Sequence, residues 1–152
     1  MKLNSIEDTY NLSRKIGKLL SNGDVIFLYG EIGVGKTTFV RGLINNFEVQ
    51  QGMNESQILS PTVNIVFDYV IKELTIMHYD LYRLKNSKDI NELGMFTEIE
   101  NCITLIEWPE LIKKKPDNRI ELFFEYLNEN LDKRNLEIKG HGKWSNCDFK
   151  KI

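Results

Sequence analysis

Asp24-Val25-Ile26-Phe27-Leu28-Tyr29-Gly30-Glu31-Ile32-Gly33-Val34-Gly35-Lys36-Thr37-Thr38 decides the fold. From Asp24 to Tyr29 the residues are apolar, β-branched and aromatic without alternation, the pattern of a strand buried on both faces in a parallel sheet. Gly30 to Thr37 fits G-x-x-x-x-G-K-[ST], a loop whose successive backbone N–H groups turn inward onto phosphate oxygens. Lys36 to Asn46 then reads as a helix carrying Phe39, Val40, Leu43, Ile44 and Phe47 on one face, and its positive N-terminus adds to the loop. Lys36 would reach the β- and γ-phosphates, and the Thr37 hydroxyl would enter a Mg²⁺ shell. With glycine near 7% of residues, a random chain of this length carries the pattern well under about 1% of the time. The strand before it and the helix after it also argue against chance.

Outward from the loop, the chain reads as one α/β unit. Ser5-Ile6-Glu7-Asp8 resembles a capping box, and Leu12, Ile16, Leu19 and Leu20 continue a helical stripe that Asn22-Gly23 stops. Residues 48–60 are polar and end in Ser60-Pro61-Thr62, a loop. Val63–Val70 and Leu74–Tyr79 read as strands joined at Lys72-Glu73, short enough to make the pair antiparallel. Asp89–Ile99 reads as a helix despite Gly94, and Cys102–Ile106 as another buried strand. Trp108-Pro109-Glu110 opens a short helix with proline in its first turn. Arg119–Leu127 and Arg134–Lys139 form a hairpin around Asn128-Glu129-Asn130, and the tail from Gly140 is expected to fray. Lys113-Lys114-Lys115 reads as a solvated charge run.

The chain has 152 residues, enough for one domain with a real core. Hydrophobic residues make up 41% and charged residues 28%, which excludes disordered and collagen-like classes. No apolar run approaches the roughly 18 residues of a membrane span, and the N-terminus has no secretory h-region. Two cysteines, Cys102 and Cys147, are too few for a disulfide framework, so a cytoplasmic, reducing location is expected. Twenty basic residues face 22 acidic ones for a net charge of −2, and only five of the basic residues are arginine. That balance gives no support for autonomous RNA or DNA binding, which needs a positive face.

A phosphate loop needs an acidic residue on its metal side, usually ending a hydrophobic strand. Two strands here end that way: Leu74–Tyr79 at Asp80, and Cys102–Ile106 at Glu107. Ser60-Pro61-Thr62 sits where a nucleotide-sensing switch would lie, His78 reads as a packed strand histidine, and Trp108 could pack near the nucleotide. A guanine-reading Asn-Lys-x-Asp is absent, and Asp80 is followed by Leu-Tyr-Arg rather than a D-x-x-G switch, which argues against a GTPase. The arginines are scattered rather than gathered in the lid of a small-molecule kinase.

Four elements together, Gly30 to Thr38, Ser60-Pro61-Thr62, His78-Tyr79-Asp80-Leu81-Tyr82-Arg83 and Glu107-Trp108-Pro109-Glu110, resemble the bacterial TsaE (YjeE) family of ATPases in tRNA threonylcarbamoyladenosine biosynthesis. Glu31 and Val34 stand where that family usually has Asp and Ala, and neither change removes a phosphate or metal group. The resemblance implies a single-domain P-loop NTPase over residues 1–140, with a parallel core sheet, antiparallel strand additions and a C-terminal tail at 141–152. It implies ATP and Mg²⁺ as cofactors. It implies Glu107, Asp80 and Lys36 as catalytic groups and Thr37, Glu107 and Asp80 on the metal. Gly30, Gly33, Val34, Gly35, Lys36, Thr37, Thr38, Thr62 and Trp108 would contact the nucleotide. Partnership with TsaB and TsaD follows from the same resemblance, with no strong nucleic-acid binding by this chain and no membrane. Glu107 ranks above Asp80 as the metal-side group. The strand of Asp80 is expected to run beside the strand of the loop. A free-standing small-molecule kinase and a nucleotide sensor without turnover are the competing readings.

Overall fold

The computed structural model describes residues 1–61, 63–127 and 130–152. Its strands are β1 (Lys2–Leu3), β2 (Val25–Tyr29), β3 (Val66–Ile71), β4 (Leu74–Asp80), β5 (Ile103–Glu107), β6 (Arg119–Leu127) and β7 (Asn130–His141). Its helices are α1 (Ile6–Gly17), α2 (Lys36–Gln50) and α3 (Ser87–Glu92). Among the described residues the strands form one sheet in the order β1-β7-β6-β2-β5-β4-β3. β2 lies at its centre, parallel to β5 on one side and β6 on the other, and β4 runs parallel to β5. β3, β7 and β1 are antiparallel additions. This is the expected single-domain α/β phosphate-loop fold.

The unbroken apolar run of β2 has the predicted cause. Ile26 and Leu28 meet Phe39, Val40, Leu43 and Ile44 of α2 and Leu12 and Ile16 of α1. Val25 and Phe27 point the other way, into a second cluster with Tyr79, Leu81, Ile90, Ile106 and Ile112. Each fully buried side chain of this size contributes about 1.5–3 kcal/mol, so β2 is held in place from both faces. At the start of α1 the Ser5 hydroxyl accepts from the Asp8 N–H at 3.0 Å, as the capping pattern predicts.

Several elements depart from the sequence reading. β4 does not lie beside β2, because β5 separates them. It is therefore Glu107, not Asp80, whose strand borders the strand of the loop. The predicted helix over 89–99 begins earlier and stops at Glu92. The Asn86 side chain caps it by accepting from the Asp89 N–H, and Gly94 turns with φ +59, a conformation that ends a helix cheaply only at glycine. Residues 63–65 form a turn, so β3 starts three residues later than predicted. α2 runs one turn past Asn46. β7 is longer than the predicted Arg134–Lys139, and positions 128 and 129 of the expected hairpin turn lie outside the described residues. β1 was not anticipated, because two residues carry no periodicity.

The tail after Gly140 does not fray. Trp144 and Phe149 are buried, and the Trp144 indole N–H donates to Asp24 at 3.2 Å. Lys143 adds an ion pair to the same carboxylate at 2.7 Å. Within the lysine run, Lys115 is also engaged. It donates to the Tyr29 hydroxyl at 3.0 Å and lies 3.4 Å from Glu121.

Glu121 also receives Arg119 at 2.9 Å and His141 at 3.0 Å. Burial by itself raises its pKa. The hydrogen bonds from Arg119 and His141 and the charges of Lys115 and Arg119 outweigh burial and hold the carboxyl below its ordinary 4.5. A depressed carboxylate contributes stability that is fully present above its unfolded value and is lost as pH falls through the folded one. Glu121→Gln should therefore lower the melting temperature at pH 7, and the gap to the parent should narrow as the solution is acidified below about 4.5. A gap that stays constant from pH 7 to pH 3 would contradict the pairing.

Candidate nucleotide site

The loop from Gly30 to Gly35 leaves the C-terminal end of β2 and feeds directly into α2. Gly30 sits hard against β6. Its φ is +134, and a Cβ there would lie 2.5 Å from the Phe124 carbonyl oxygen, so only glycine lets the chain leave the strand at this point. The Lys36 side chain folds back under the loop. Its ammonium donates to the carbonyls of Gly30 at 2.5 Å and Glu31 at 2.9 Å, and lies 3.9 Å from the centre of the Trp108 ring. Burial pulls the Lys36 pKa below the ordinary lysine range, while the charges of Glu107, Asp80 and Glu110 act to raise it.

Thr37 reaches from the loop to the facing side of the site. Its hydroxyl reaches both carboxylate oxygens of Glu107, at 2.9 and 3.1 Å. Asp80 and Glu107 are register partners at the ends of β4 and β5. Strand alternation therefore puts His78, Asp80 and Glu107 on one sheet face, the face that α2 covers. The two carboxylates have different neighbours. Glu107 is bonded to Thr37 and to His78, whose Nε2 lies 2.9 Å from Glu107 Oε1. A carboxylate can only accept, so Nε2 carries the proton. Asp80 accepts from the Ser60 hydroxyl at 2.6 Å and from the Tyr82 N–H at 3.0 Å.

These groups line one cleft. Gly33, Gly35, Lys36, Thr37 and Thr38 form one wall, and Ser60, Asp80, Tyr82, Glu107 and Trp108 the other. Val34 is placed in the loop as predicted, but its side chain is buried in the core, leaving only its backbone for a ligand. Thr62 lies outside the described residues. Trp108 follows Glu107 with φ +59, an uncommon state for a residue with a side chain, and its N–H donates to Leu28 of β2 at 3.2 Å. Ile65 is a second such residue, with φ +66. Its N–H donates to Pro61 at 2.7 Å and its carbonyl accepts from the Asp80 N–H at 2.9 Å. The strained turn after Ser60-Pro61 is thus tied to the end of β4.

The sequence reading undervalued His78 and Ser60. The available signal for His78 was its position two residues before Asp80, which puts it on the same strand face. Nothing local marks Ser60 as the partner of Asp80 across 20 residues.

A cation here would meet hard oxygen donors, the Thr37 hydroxyl and the Glu107 carboxylate. Among the described residues no group of three His, Cys, Asp or Glu side chains is placed to hold a metal ion by itself. That donor set fits Mg²⁺, which is commonly held by one or two protein oxygens, phosphate and water rather than by an all-protein cage. It does not fit zinc, which takes three or four protein ligands.

Fold and loop together define a single-domain P-loop protein of the α/β class. A profile described as "Threonylcarbamoyl adenosine biosynthesis protein TsaE" matches residues 3–136. The tRNA threonylcarbamoyladenosine biosynthesis protein TsaE of Rickettsia bellii is 41% identical over 137 residues, covering 90% of this chain and 91% of that protein. The protein of the same name from Aquifex aeolicus is 39% identical over 136 residues, covering 90% and 92%. The chain belongs to the TsaE family, the threonylcarbamoyladenosine biosynthesis proteins. The crystal structure of YdiB from a Bacillus superposes with a TM-score of 0.73 at 23% identity, covering 94% of this chain and 85% of that one, a likeness of fold. No helix among the described residues is long and apolar enough to cross a membrane.

Proposed function

We propose that this chain is the Mg²⁺-dependent, ATP-binding and ATP-hydrolysing subunit that supports TsaB and TsaD in tRNA threonylcarbamoyladenosine formation. The observation that carries this reading is the convergence of Lys36, Thr37 and Glu107 in one cleft beside the glycine loop. The loop N–H groups and the α2 N-terminus would receive the phosphate chain. Lys36 is already held at the loop and would place its charge on the outer phosphates. Thr37 and Glu107 would hold Mg²⁺, which when bound neutralises charge on the β- and γ-phosphates. His78 keeps Glu107 Oε1 occupied and so directs the other oxygen. Asp80 would link phosphate occupancy to the Ser60-Pro61 segment through the Ser60 hydroxyl.

Dependence on partners follows from where the arginines are. Phosphoryl transfer gains from an added positive charge on the γ-phosphate. All five arginines make hydrogen bonds to groups other than those lining the cleft: Arg14 to Glu7, Arg41 to the Ile58 carbonyl, Arg83 to the Val63 carbonyl, Arg119 to Glu121, and Arg134 to the Val34 carbonyl on the hairpin side of the loop. None of them lines the cleft. The isolated chain should therefore hydrolyse ATP slowly, and a saturating TsaB–TsaD complex should accelerate it. Steady-state ATPase with and without that complex tests this. Full activity from the chain alone would favour a stand-alone enzyme, and binding without turnover under either condition would favour a sensor.

Thr37→Ala gives a separate test of the metal side. The variant should bind ADP about tenfold more weakly in the presence of Mg²⁺, the scale of one lost hydrogen bond or metal contact. Its metal-free affinity should change much less. Calorimetry in Mg²⁺ and in chelator measures both, and equal losses under the two conditions would remove Thr37 from the metal shell.

A further inference from the structure

The glycine loop lies between two parts of the sheet. On the β5–β4 side is the cleft. On the other side stands the hairpin of β6 and β7, register-paired at Tyr126 and Arg134. Both of these residues reach the loop. The Tyr126 hydroxyl donates to the Ile32 carbonyl at 3.2 Å, and Arg134 Nε donates to the Val34 carbonyl at 3.0 Å. The Arg134 guanidinium also lies 5.5 Å from the Tyr126 ring centre, so the two side chains brace each other. The separations in sequence are 94 and 100 residues.

A trans peptide is planar, and its C=O and N–H point in opposite directions. Holding the Ile32 carbonyl toward the hairpin therefore aims the Gly33 N–H away from it, toward the cleft. Holding the Val34 carbonyl does the same for the Gly35 N–H. Gly33 and Gly35 are loop residues that line the cleft. A carbonyl that already accepts a hydrogen bond also polarises its own amide, which strengthens the N–H as a donor. Glycine pays the largest conformational entropy when it is ordered, so a glycine loop gains most from an outside brace.

We infer that Tyr126 and Arg134 are positioning residues for phosphate recognition: the C-terminal hairpin is a clasp that holds the Gly33 and Gly35 N–H groups in their phosphate-binding direction. This deepens the nucleotide reading of the site and rests on it. Neither residue touches the cleft, and each acts through a loop carbonyl.

Tyr126→Phe removes one hydroxyl and keeps the ring. Arg134→Met keeps the aliphatic stem and removes the donor. Each variant should bind ADP roughly three- to tenfold more weakly, the equivalent of one hydrogen bond. The NMR order parameters of the Gly33 and Gly35 amides, measured without nucleotide, should fall in both. Amide exchange in β2 and β5 and the melting temperature should stay close to the parent. A purely structural role would instead lower the melting temperature and quicken exchange across the sheet. Unchanged order parameters at Gly33 and Gly35, or unchanged ADP affinity in both variants, would overturn the clasp. A parent protein that fails to bind ADP would overturn the nucleotide reading and the clasp's purpose together, even if the order-parameter result held.

Discussion

Lys36→Ala should weaken ATP binding by roughly 10- to 150-fold, the equivalent of one charge-assisted contact worth about 1.5–3 kcal/mol. The size of the effect follows from how the side chain is held. Lys36 is only 4% exposed, and its ammonium is fixed by the Gly30 and Glu31 carbonyls above the Trp108 ring. A free lysine loses up to about 1.5–2 kcal/mol of rotamer entropy when ordered. Much of that cost is met in folding, so the contact reaches a phosphate with little left to lose. Burial and the pull of Asp80, Glu107 and Glu110 act on this charge in opposite senses, and a bound phosphate would add to the second. The fold should survive the change, because alanine is the best helix former and position 36 opens α2. Lys36→Arg should fail to restore binding, since a planar fork does not fit between two carbonyls that hold a compact ammonium. Calorimetry with ATP and Mg²⁺ measures the loss. An affinity within about twofold of the parent, on a scale where tenfold is about 1.4 kcal/mol, would remove Lys36 from the phosphate site.

The centre of the fold is legible in the sequence because its signals are local. β2 reads as a doubly buried strand from six consecutive residues, and the loop and α2 follow at once. What escapes is set by distance. The order of β4 and β5 cannot be read from either strand, since both are short apolar runs ending in an acid. Their exchange in the expected sheet misplaced the strand of Asp80 beside that of the loop. Gly94 was visible, but its left-handed turn depends on how the chain packs beyond Glu92. The tail was expected to fray, and its Trp144 and Phe149 follow no local pattern that would say they pack. It folds back because Trp144 finds the buried Asp24 carboxylate 120 residues away.

The site divides in the same way. Lys36, Thr37, Asp80 and Glu107 were named from motif and strand-end position, and they line one cleft. Val34 was named with them, yet motif spacing does not reveal that its side chain turns into the core. Ser60 was read only as part of a switch loop and His78 only as a packed strand histidine, because each earns its place through a partner on another element. The same holds for Tyr126 and Arg134, which meet the loop from the far end of the chain. Motifs specify what touches a ligand directly. The groups that aim those motifs have no spacing rule.

Glu107→Gln should leave nucleotide binding in chelator near the parent level and lower turnover by about 10²–10³, the scale of losing one preorganised electrostatic group. The geometry makes the change specific. Glu107 receives the Thr37 hydroxyl on both oxygens and the His78 Nε2–H on Oε1, so both neighbours donate to it. A carboxylate satisfies all of these contacts and keeps lone pairs for a cation. Glutamine offers one acceptor oxygen and one NH₂ group; with its oxygen on the His78 Nε2–H, it presents the NH₂ group where a cation would be held. His78 has no alternative, since it is fully buried and its Nδ1 has no partner among the described residues. The Thr37 hydroxyl can accept from that NH₂ group, but no anionic oxygen is left for a cation, and the variant should lose its Mg²⁺ response along with turnover. Asp80→Asn should cost less. Asp80 is held by Ser60 and the Tyr82 N–H rather than by Thr37, and an asparagine oxygen can still accept one of those bonds. Single-turnover hydrolysis with the partner complex present, beside ADP calorimetry with and without Mg²⁺, separates the two carboxylates. If Asp80→Asn abolished the Mg²⁺ response while Glu107→Gln kept it, their roles would be reversed, and the metal would lie on the Ser60 side of the cleft.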